Sequence, residues 1–247
     1  LKAFSKIFIR RGYQCYLVGG AIRDMLMGYR STDFDIATDA LPQEVQRMFR
    51  RVIPTGIKHG TVTVFFQGTR FEVTTFRIDR EYLDGRRPDS VVFSPSIEED
   101  LKRRDFTINA IAYDLIERKL LDPHAGREDL KRGIIRAIGD ALERFLEDGL
   151  RPLRACRFAA QFKFAIDSRT FAAIPQALDT VRKVSAERIR EELVRLLEAE
   201  KPSEGFRLMR RCGLLALSLP ELDRCAGSEQ QQLHCADLLE HSPASCD

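Results

Sequence analysis

The sequence predicts an α+β fold, a small mixed β-sheet with flanking helices followed by an all-α region. Three observations predict it. Short apolar runs of strand length alternate with helix-length segments up to about Gly139. From Asp140 onward the apolar residues recur at helical spacing, with Phe145, Leu150, Leu153, Phe158 and Phe162 forming stripes. A chain of 247 residues can also bury a substantial core.

In chain order, Cys15 to Val18 reads as a strand, Gly19-Gly20 as a turn, Ala21 to Met27 as a helix and Phe34 to Ala37 as a second strand. Thr38 or Asp39 is the expected cap of a helix that Pro42 starts. Thr61 to Phe66 and Arg70 to Arg77 are β-rich runs joined by Gln67-Gly68-Thr69, a hairpin signal. Residues 79–95, rich in Asp, Arg, Gly, Pro and Ser, form a long loop of the kind that carries function. A helix-like stretch follows from Phe106 to Asp114. Ser185 opens a further capped helix, and Gly227-Ser-Glu-Gln-Gln-Gln reads as a linker.

Forty Lys and Arg stand against thirty-seven Asp and Glu, a net charge of +3, which excludes a uniformly basic nucleic-acid coat. Any basic surface is therefore local, and arginine clusters at Arg86-Arg87, Arg103-Arg104, Arg151/Arg154/Arg157 and Arg207/Arg210/Arg211 supply candidates. The six cysteines show no Cys-x-x-Cys spacing, which fits free thiols in a reduced, cytoplasmic setting. His234, Cys235 and His241 match no familiar zinc ligand set. No apolar stretch is long enough to span a membrane and no secretory signal opens the chain. The first residue is Leu rather than Met, so part of the native N-terminus is expected to precede it.

The chemistry concentrates at Asp33 and Asp35. Residues two apart on a strand face the same way, and two adjacent carboxylates repel each other unless hard cations sit between them. The pair therefore reads as a magnesium clamp, with Glu72 either a third carboxylate or an ordinary exposed strand residue. The diglycine turn between a strand and a helix lets backbone N–H groups approach an anion closely, as a triphosphate cradle would. It is not a P-loop, because no Gly-Lys-Ser/Thr follows and Arg23 supplies the nearby positive charge.

Five segments recur in a familiar order: Leu17-Val-Gly-Gly-Ala-Ile-Arg-Asp24 with Asp33-Phe-Asp35; Arg103-Arg-Asp-Phe-Thr-Ile-Asn-Ala110; Asp122-Pro-x-x-Gly126-x-x-Asp129; Glu147-Asp-Gly-Leu-Arg151; and Ser185-x-x-Arg188 through Glu192. Over roughly residues 15–195 the chain resembles the class II tRNA nucleotidyltransferases, the CCA-adding enzymes and bacterial poly(A) polymerases of the DNA polymerase β superfamily, through their motifs A to E.

The resemblance implies a nucleotidyltransferase head over 1–139, a helical neck carrying the base-reading helix over 140–200, and the start of a helical body over 201–247. Further body and tail segments would lie beyond. It implies template-independent addition of CMP and AMP, from CTP and ATP, to the 3′ end of tRNA. Asp33 and Asp35 would hold two magnesium ions, and Gly19, Gly20 and Arg23 would grip the phosphates. Arg104 and Asp105 would read the ribose. Asp148 and Arg151, three residues apart and so expected one helical turn from each other, would read the base, with Arg154 and Arg157 as further nucleotide contacts.

Motif C, with Asp122, Gly126 and Asp129, is expected to form a hinge or hydrogen-bonded junction, and motif E to brace the neck. The loop around Asp84, Arg86 and Arg87 would let one pocket accept C and then A, since members that add only C look shortened here. The segment Pro54-Thr-Gly-Ile-Lys-His-Gly-Thr-Val-Thr63 is similar to the CCA-adding branch. Two other readings compete: an adenylyltransferase adding only A, either the terminal A of CCA or a poly(A) tract, and a catalytically idle RNA-binding protein.

Overall fold

The computed structural model describes residues 1–31, 33–80 and 90–224. The loop residues Asp84, Arg86 and Arg87, the linker from Gly227, and His234, Cys235 and His241 lie outside the described residues. The chain divides into two compact units, the first reaching Lys131 and the second beginning at Arg132.

The first unit starts with α1 (Lys2–Ile9), which the sequence reading did not identify. Phe4 and Phe8 lie four apart and so share one helical face. Both are fully buried, and Phe4 stacks on Phe71 at 4.0 Å and on Phe49 at 4.8 Å between ring centroids. The chain continues through β1 (Tyr16–Val18), α2 (Gly20–Leu26), β2 (Phe34–Thr38), α3 (Pro42–Met48), β3 (Val52–Gly56), β4 (Thr61–Phe66) and β5 (Thr69–Thr75). Then come β6 (Arg77–Arg80), β7 (Ser90–Phe93), α4 (Ile97–Lys102), β8 (Ala112–Asp114), β9 (Lys119–Leu121) and α5 (Gly126–Arg132).

Seven of these strands form one mixed sheet in the order β3-β4-β5-β2-β1-β8-β9. Its one parallel pairing, β2 with β5, sets Asp35 opposite Glu72. Strands β6 and β7 pair separately. The β4–β5 hairpin closes through two residues, Gln67 and Gly68, both with positive φ, so Thr69 belongs to the strand. Such a turn matches the right-handed twist of the strands it joins.

Three local expectations are corrected. The cap of α3 is Leu41, whose backbone N–H donates to Glu44 Oε2 at 2.7 Å. Thr38 and Asp39 are consumed instead by Gln14: Thr38 Oγ1 donates to its carbonyl and Asp39 Oδ1 accepts from its N–H. The stretch from Phe106 to Asp114 is a 3₁₀ turn over Thr107–Asn109 followed by β8. A short run this apolar carries no period that separates a buried strand from a helix. The run from Arg70 to Arg77 is broken at Phe76, which is fully buried where β5 gives way to β6.

The second unit is built on α6 (Ala141–Glu147), α7 (Arg151–Phe162), α8 (Ser168–Ala173), α9 (Leu178–Val181), α10 (Ala186–Leu197), α11 (Pro202–Arg211), α12 (Leu214–Ser218) and α13 (Pro220–Arg224). The helix α7 packs against α10 and α11, and its buried face includes Leu153, Cys156 and Phe158. A parallel pair of two-residue strands, β10 (Ile134–Ile135) and β11 (Ala165–Ile166), adds β-structure where only helix was expected. Strands this short leave no alternation in the sequence. Cys15, Cys156 and Cys212 are buried free thiols, the first two within apolar runs of the sequence. Among the described residues no helix is long and apolar enough to cross a membrane.

Candidate nucleotidyltransferase site

In the first unit, β1 ends on Gly19, whose φ of 71° and ψ of −142° turn the chain sharply into α2. Few side-chain-bearing residues tolerate that backbone. Space is also short: a Cβ on Gly19 would lie 3.2 Å from both Arg104 Nη1 and Asp35 Oδ2. The turn, the arginine and the carboxylate are thus neighbours, drawn from β1, the end of α4 and β2.

Asp33 is exposed just before β2, and Asp35 is half-buried at its second position. Burial pushes the Asp35 carboxyl above the usual carboxylate range. The Arg104 guanidinium opposes this, while the charges of Glu72 and Asp33 push it further up. The residues present fit a divalent cation in their oxygen-only donor chemistry and their only partly compensated negative charge. Glu72 sends its carboxylate to Arg70, and no group of three His, Cys, Asp or Glu residues among the described residues is placed to hold a metal ion. Asp33 and Asp35 are therefore the candidate ligands in this unit.

Arg23 lies beneath the diglycine turn and is largely buried. It donates to Asp24 Oδ1 from Nε at 2.8 Å and to Asn109 Oδ1 from Nη1 at 2.7 Å. Asn109 in turn donates to Asp105 Oδ1 at 3.0 Å. The phosphate-gripping and ribose-reading candidates are thereby tied through Asn109, a hub that the sequence reading passed over although it stands in motif B. Asp100 was also missed. It is 1% exposed and accepts from both Arg103 and Arg104. Burial raises its pKa, but the guanidiniums of Arg104 and Arg103 outweigh this and hold it below the usual range.

Motif C is a hydrogen-bonded corner. Asp122 accepts from the N–H groups of Gly126 and Arg127 at the start of α5, and Asp129 accepts from Thr107 Oγ1 at 2.7 Å.

In the second unit Asp148 and Arg151 do not share a helix, contrary to expectation. Asp148 is extended and ends α6, whereas Arg151 begins α7. Gly149 between them leaves no room for a side chain, since a Cβ would lie 2.5 Å from the Thr180 carbonyl oxygen. The break itself is local: the extended Asp148 accepts from the Leu150 N–H through Oδ1, and Pro152 lacks the N–H that a continuous helix would need. Asp148 Oδ2 accepts from Arg188 Nη2 at 2.8 Å, and Arg151 Nη1 donates to Glu147 Oε2 at 2.7 Å and to the Arg144 carbonyl at 2.9 Å.

Ser185 occupies the cap position of α10 without a side-chain cap bond, and the third helical residue, Arg188, turns to Asp148 instead of closing a capping box. Glu192 of motif E accepts from Arg157 Nε at 2.5 Å and Arg154 Nη1 at 3.5 Å. Arg157 is buried, stacked 3.8 Å over Phe158, and also bonded to Gln161. Its guanidinium is thus committed to bracing α7 against α10. A cavity of about 750 Å³ at the C-terminal end of α7 is lined by none of the predicted site residues.

Comparison with known proteins agrees with this geometry. Residues 15–136 match the poly(A) polymerase head domain, and residues 163–225 match the region described as the probable RNA- and SrmB-binding site of polymerase A. The CCA-adding enzyme of Geobacillus kaustophilus is 50% identical over 208 residues, covering 84% of this chain and 51% of that protein. That of Geobacillus stearothermophilus is 47% identical over 222 residues, covering 90% and 54%. The crystal structure of the Bacillus stearothermophilus CCA-adding enzyme in complex with CTP superposes with a TM-score of 0.83 at 41% identity, covering 90% of this chain and 54% of that one. The Thermotoga maritima CCA-adding enzyme complexed with tRNA-CCA gives 0.73 at 28% identity, covering 89% and 52%. The chain spans about half the length of the curated relatives it matches. With the ordered motifs and the strand-turn-helix site, these matches establish that the chain belongs to the class II CCA-adding enzyme and poly(A) polymerase family of nucleotidyltransferases.

Proposed function

We propose that this chain carries the catalytic and base-selecting parts of a template-independent RNA nucleotidyltransferase that adds CMP and AMP, from CTP and ATP, to the 3′ end of tRNA. The observation that carries the reading is the convergence of the Gly19 turn, the Asp35 carboxylate and the Arg104 guanidinium on one point. Relatives of similar sequence are CCA-adding enzymes, and solved relatives are described with CTP and with tRNA-CCA. On this reading residues 1–139 are the catalytic head, 140–200 the neck and 201–247 the start of the body. A cytoplasmic setting accords with the buried free thiols.

Asp33 and Asp35 would hold two magnesium ions, which when bound neutralise the triphosphate and acidify the RNA 3′-hydroxyl. Gly19, Gly20 and Arg23 shape the phosphate end, and Arg104 and Asp105 face the sugar. Cytosine and adenine each show an amine donor beside a ring-nitrogen acceptor, so the Asp148 carboxylate accepts from one and the Arg151 guanidinium donates to the other. Uracil and guanine reverse the order and leave both groups mispaired, at about 1–3 kcal/mol for each lost pairing. Arg154 contributes a further cationic contact.

Incubation of the protein with labelled CTP or ATP and tRNA transcripts ending at the discriminator base, C or CC tests the reading. Stepwise C, C and A addition is expected. Addition of A alone to the CC-ended transcript, or long A tracts on unrelated RNA, would replace it with the adenylyltransferase reading. No incorporation at all would leave only an idle RNA-binding protein.

A further inference from the structure

Asp100 belongs to none of the motifs that mark the site, yet its surroundings give it a task there. It is 1% exposed on α4. Its Oδ1 accepts from Arg103 Nε at 3.0 Å and Nη2 at 2.8 Å, and its Oδ2 accepts from Arg104 Nη2 at 3.0 Å. A carboxylate this deeply buried is costly unless it is fully paired, and both partners lie within four residues on its own segment. Arg104 is the residue whose other terminal nitrogen, Nη1, lies beside Asp35 at the Gly19 turn.

The remaining nitrogen of that guanidinium, Nε, is buried without a hydrogen-bond partner. Among the described residues Asp100 is therefore the one ion-pair partner that fixes the plane of the Arg104 head group. An arginine on a long, rotatable stem presents its fork usefully only when one edge is anchored. Arg103, grasping the opposite oxygen, keeps the carboxylate itself from turning.

We infer that Asp100 is a positioning residue that holds the Arg104 guanidinium beside Asp35, so that Nη1 faces the incoming nucleotide. Asp100 acts through Arg104 and touches no substrate. The inference rests on the proposed nucleotidyltransferase reading for what Arg104 contacts, but the anchoring itself is a property of the protein alone.

The test is a double-mutant cycle on the intact protein, with steady-state incorporation of CMP and AMP as the readout. Asp100→Asn is expected to raise KM for both nucleotides about tenfold to a hundredfold, with a smaller change in kcat. Arg104→Ala is expected to do the same. The double variant should be no worse than Arg104→Ala alone, because Asp100 has nothing left to position. Losses that multiply in the double variant, or a wild-type KM in Asp100→Asn, would overturn the inference.

Should Asp100→Asn not accumulate as folded protein, Asp100→Glu enters the same cycle, since it keeps the charge while displacing the carboxylate. A second readout does not need catalysis. In NMR spectra of isotope-labelled arginine, rotation of the Arg104 guanidinium should be slow in the wild type and fast in either Asp100 variant. Identical rotation in both would refute the anchoring. A wild type that incorporates no nucleotide while showing the anchored guanidinium would instead sink the functional reading and leave the Asp100 contact standing.

Discussion

The carboxylate site of the first unit and the arginine helix of the second are both dense in charge, and they settle it in opposite ways. Around Asp35 negative charge is in excess: Asp33 and Glu72 add to the burden that burial imposes, and Arg104 offsets part of it. Neither Asp33 nor Asp35 carries an ion pair among the described residues. In the second unit the charges are partnered, Arg157 by Glu192, Arg151 by Glu147 and Asp148 by Arg188. Carboxylates that are to take up cations gain by standing uncompensated, because an internal partner would compete with the metal. Groups that are to present a fixed hydrogen-bonding edge gain by being held, because freedom to rotate would blur the choice between bases.

The largest effect is expected where no ion pair holds the carboxylates. Asp33→Asn or Asp35→Asn should lower incorporation by about a thousandfold or more in magnesium, since metal-assisted chemistry is lost while the base contacts stay. Nucleotide binding should be largely retained. Single-turnover incorporation and equilibrium binding of ATP measure the two quantities, and near-normal turnover in both variants would remove the metal role.

The next effect falls on stability, in the compensated unit. Glu192→Ala leaves Arg157 buried and unpaired, and should cost about 3–5 kcal/mol in denaturant unfolding. Arg157→Ala should cost a similar amount, with a double variant much less than additive. If Arg157→Ala instead left stability intact and weakened nucleotide binding, Arg157 would be a nucleotide contact, as the family resemblance first suggested.

A smaller effect concerns selection. Asp148→Ala and Arg151→Ala should each reduce discrimination against UTP and GTP by about 1–3 kcal/mol, roughly tenfold to a hundredfold. Competition assays measure the ratios. Loss of one base with the other kept at full rate would contradict a shared reader.

How much of this was legible in the sequence differs between the two regions for physical reasons. The diglycine turn, the Asp-x-Asp pair and the flanking strands are local, and local pattern located them to within a residue or two. Asp100 and Asn109 escaped because their importance lies in what they touch after folding, which residue type and spacing do not encode. Asp148 and Arg151 were found as a motif but given the wrong geometry. The spacing suited one helix, whereas Asp148 folds back to accept from the Leu150 N–H and Pro152 lacks the N–H that a continuous helix would need, local signals that spacing alone does not weigh. The β10–β11 pair was invisible for a different reason, its two-residue strands being defined by each other.

The smallest expected effect sharpens the comparison most directly, because it turns the activity-abolishing substitution into a stabilising one. Burial raises the pKa of Asp35 in the folded state above its ordinary value, so the folded protein binds this proton more tightly than the unfolded chain does. Above the folded-state pKa the ionised group therefore costs stability. As the pH falls through that raised pKa toward the ordinary carboxylate range, protonation in the folded state relieves the cost. Asp35→Asn removes the charge at every pH. In metal-free buffer with a chelator it should raise the thermal midpoint at neutral pH, and the gain should shrink to nothing as the pH drops through the titration of Asp35. Glu192→Gln, at the compensated site, should lower the midpoint at neutral pH. Magnesium should offset the first result, since only the wild type gains stability from holding the metal, whereas nucleotide stabilises both proteins. An Asp35→Asn protein less stable than the wild type at neutral pH without metal would mean that Asp35 is compensated after all, and that the contrast between the two units is not one of charge.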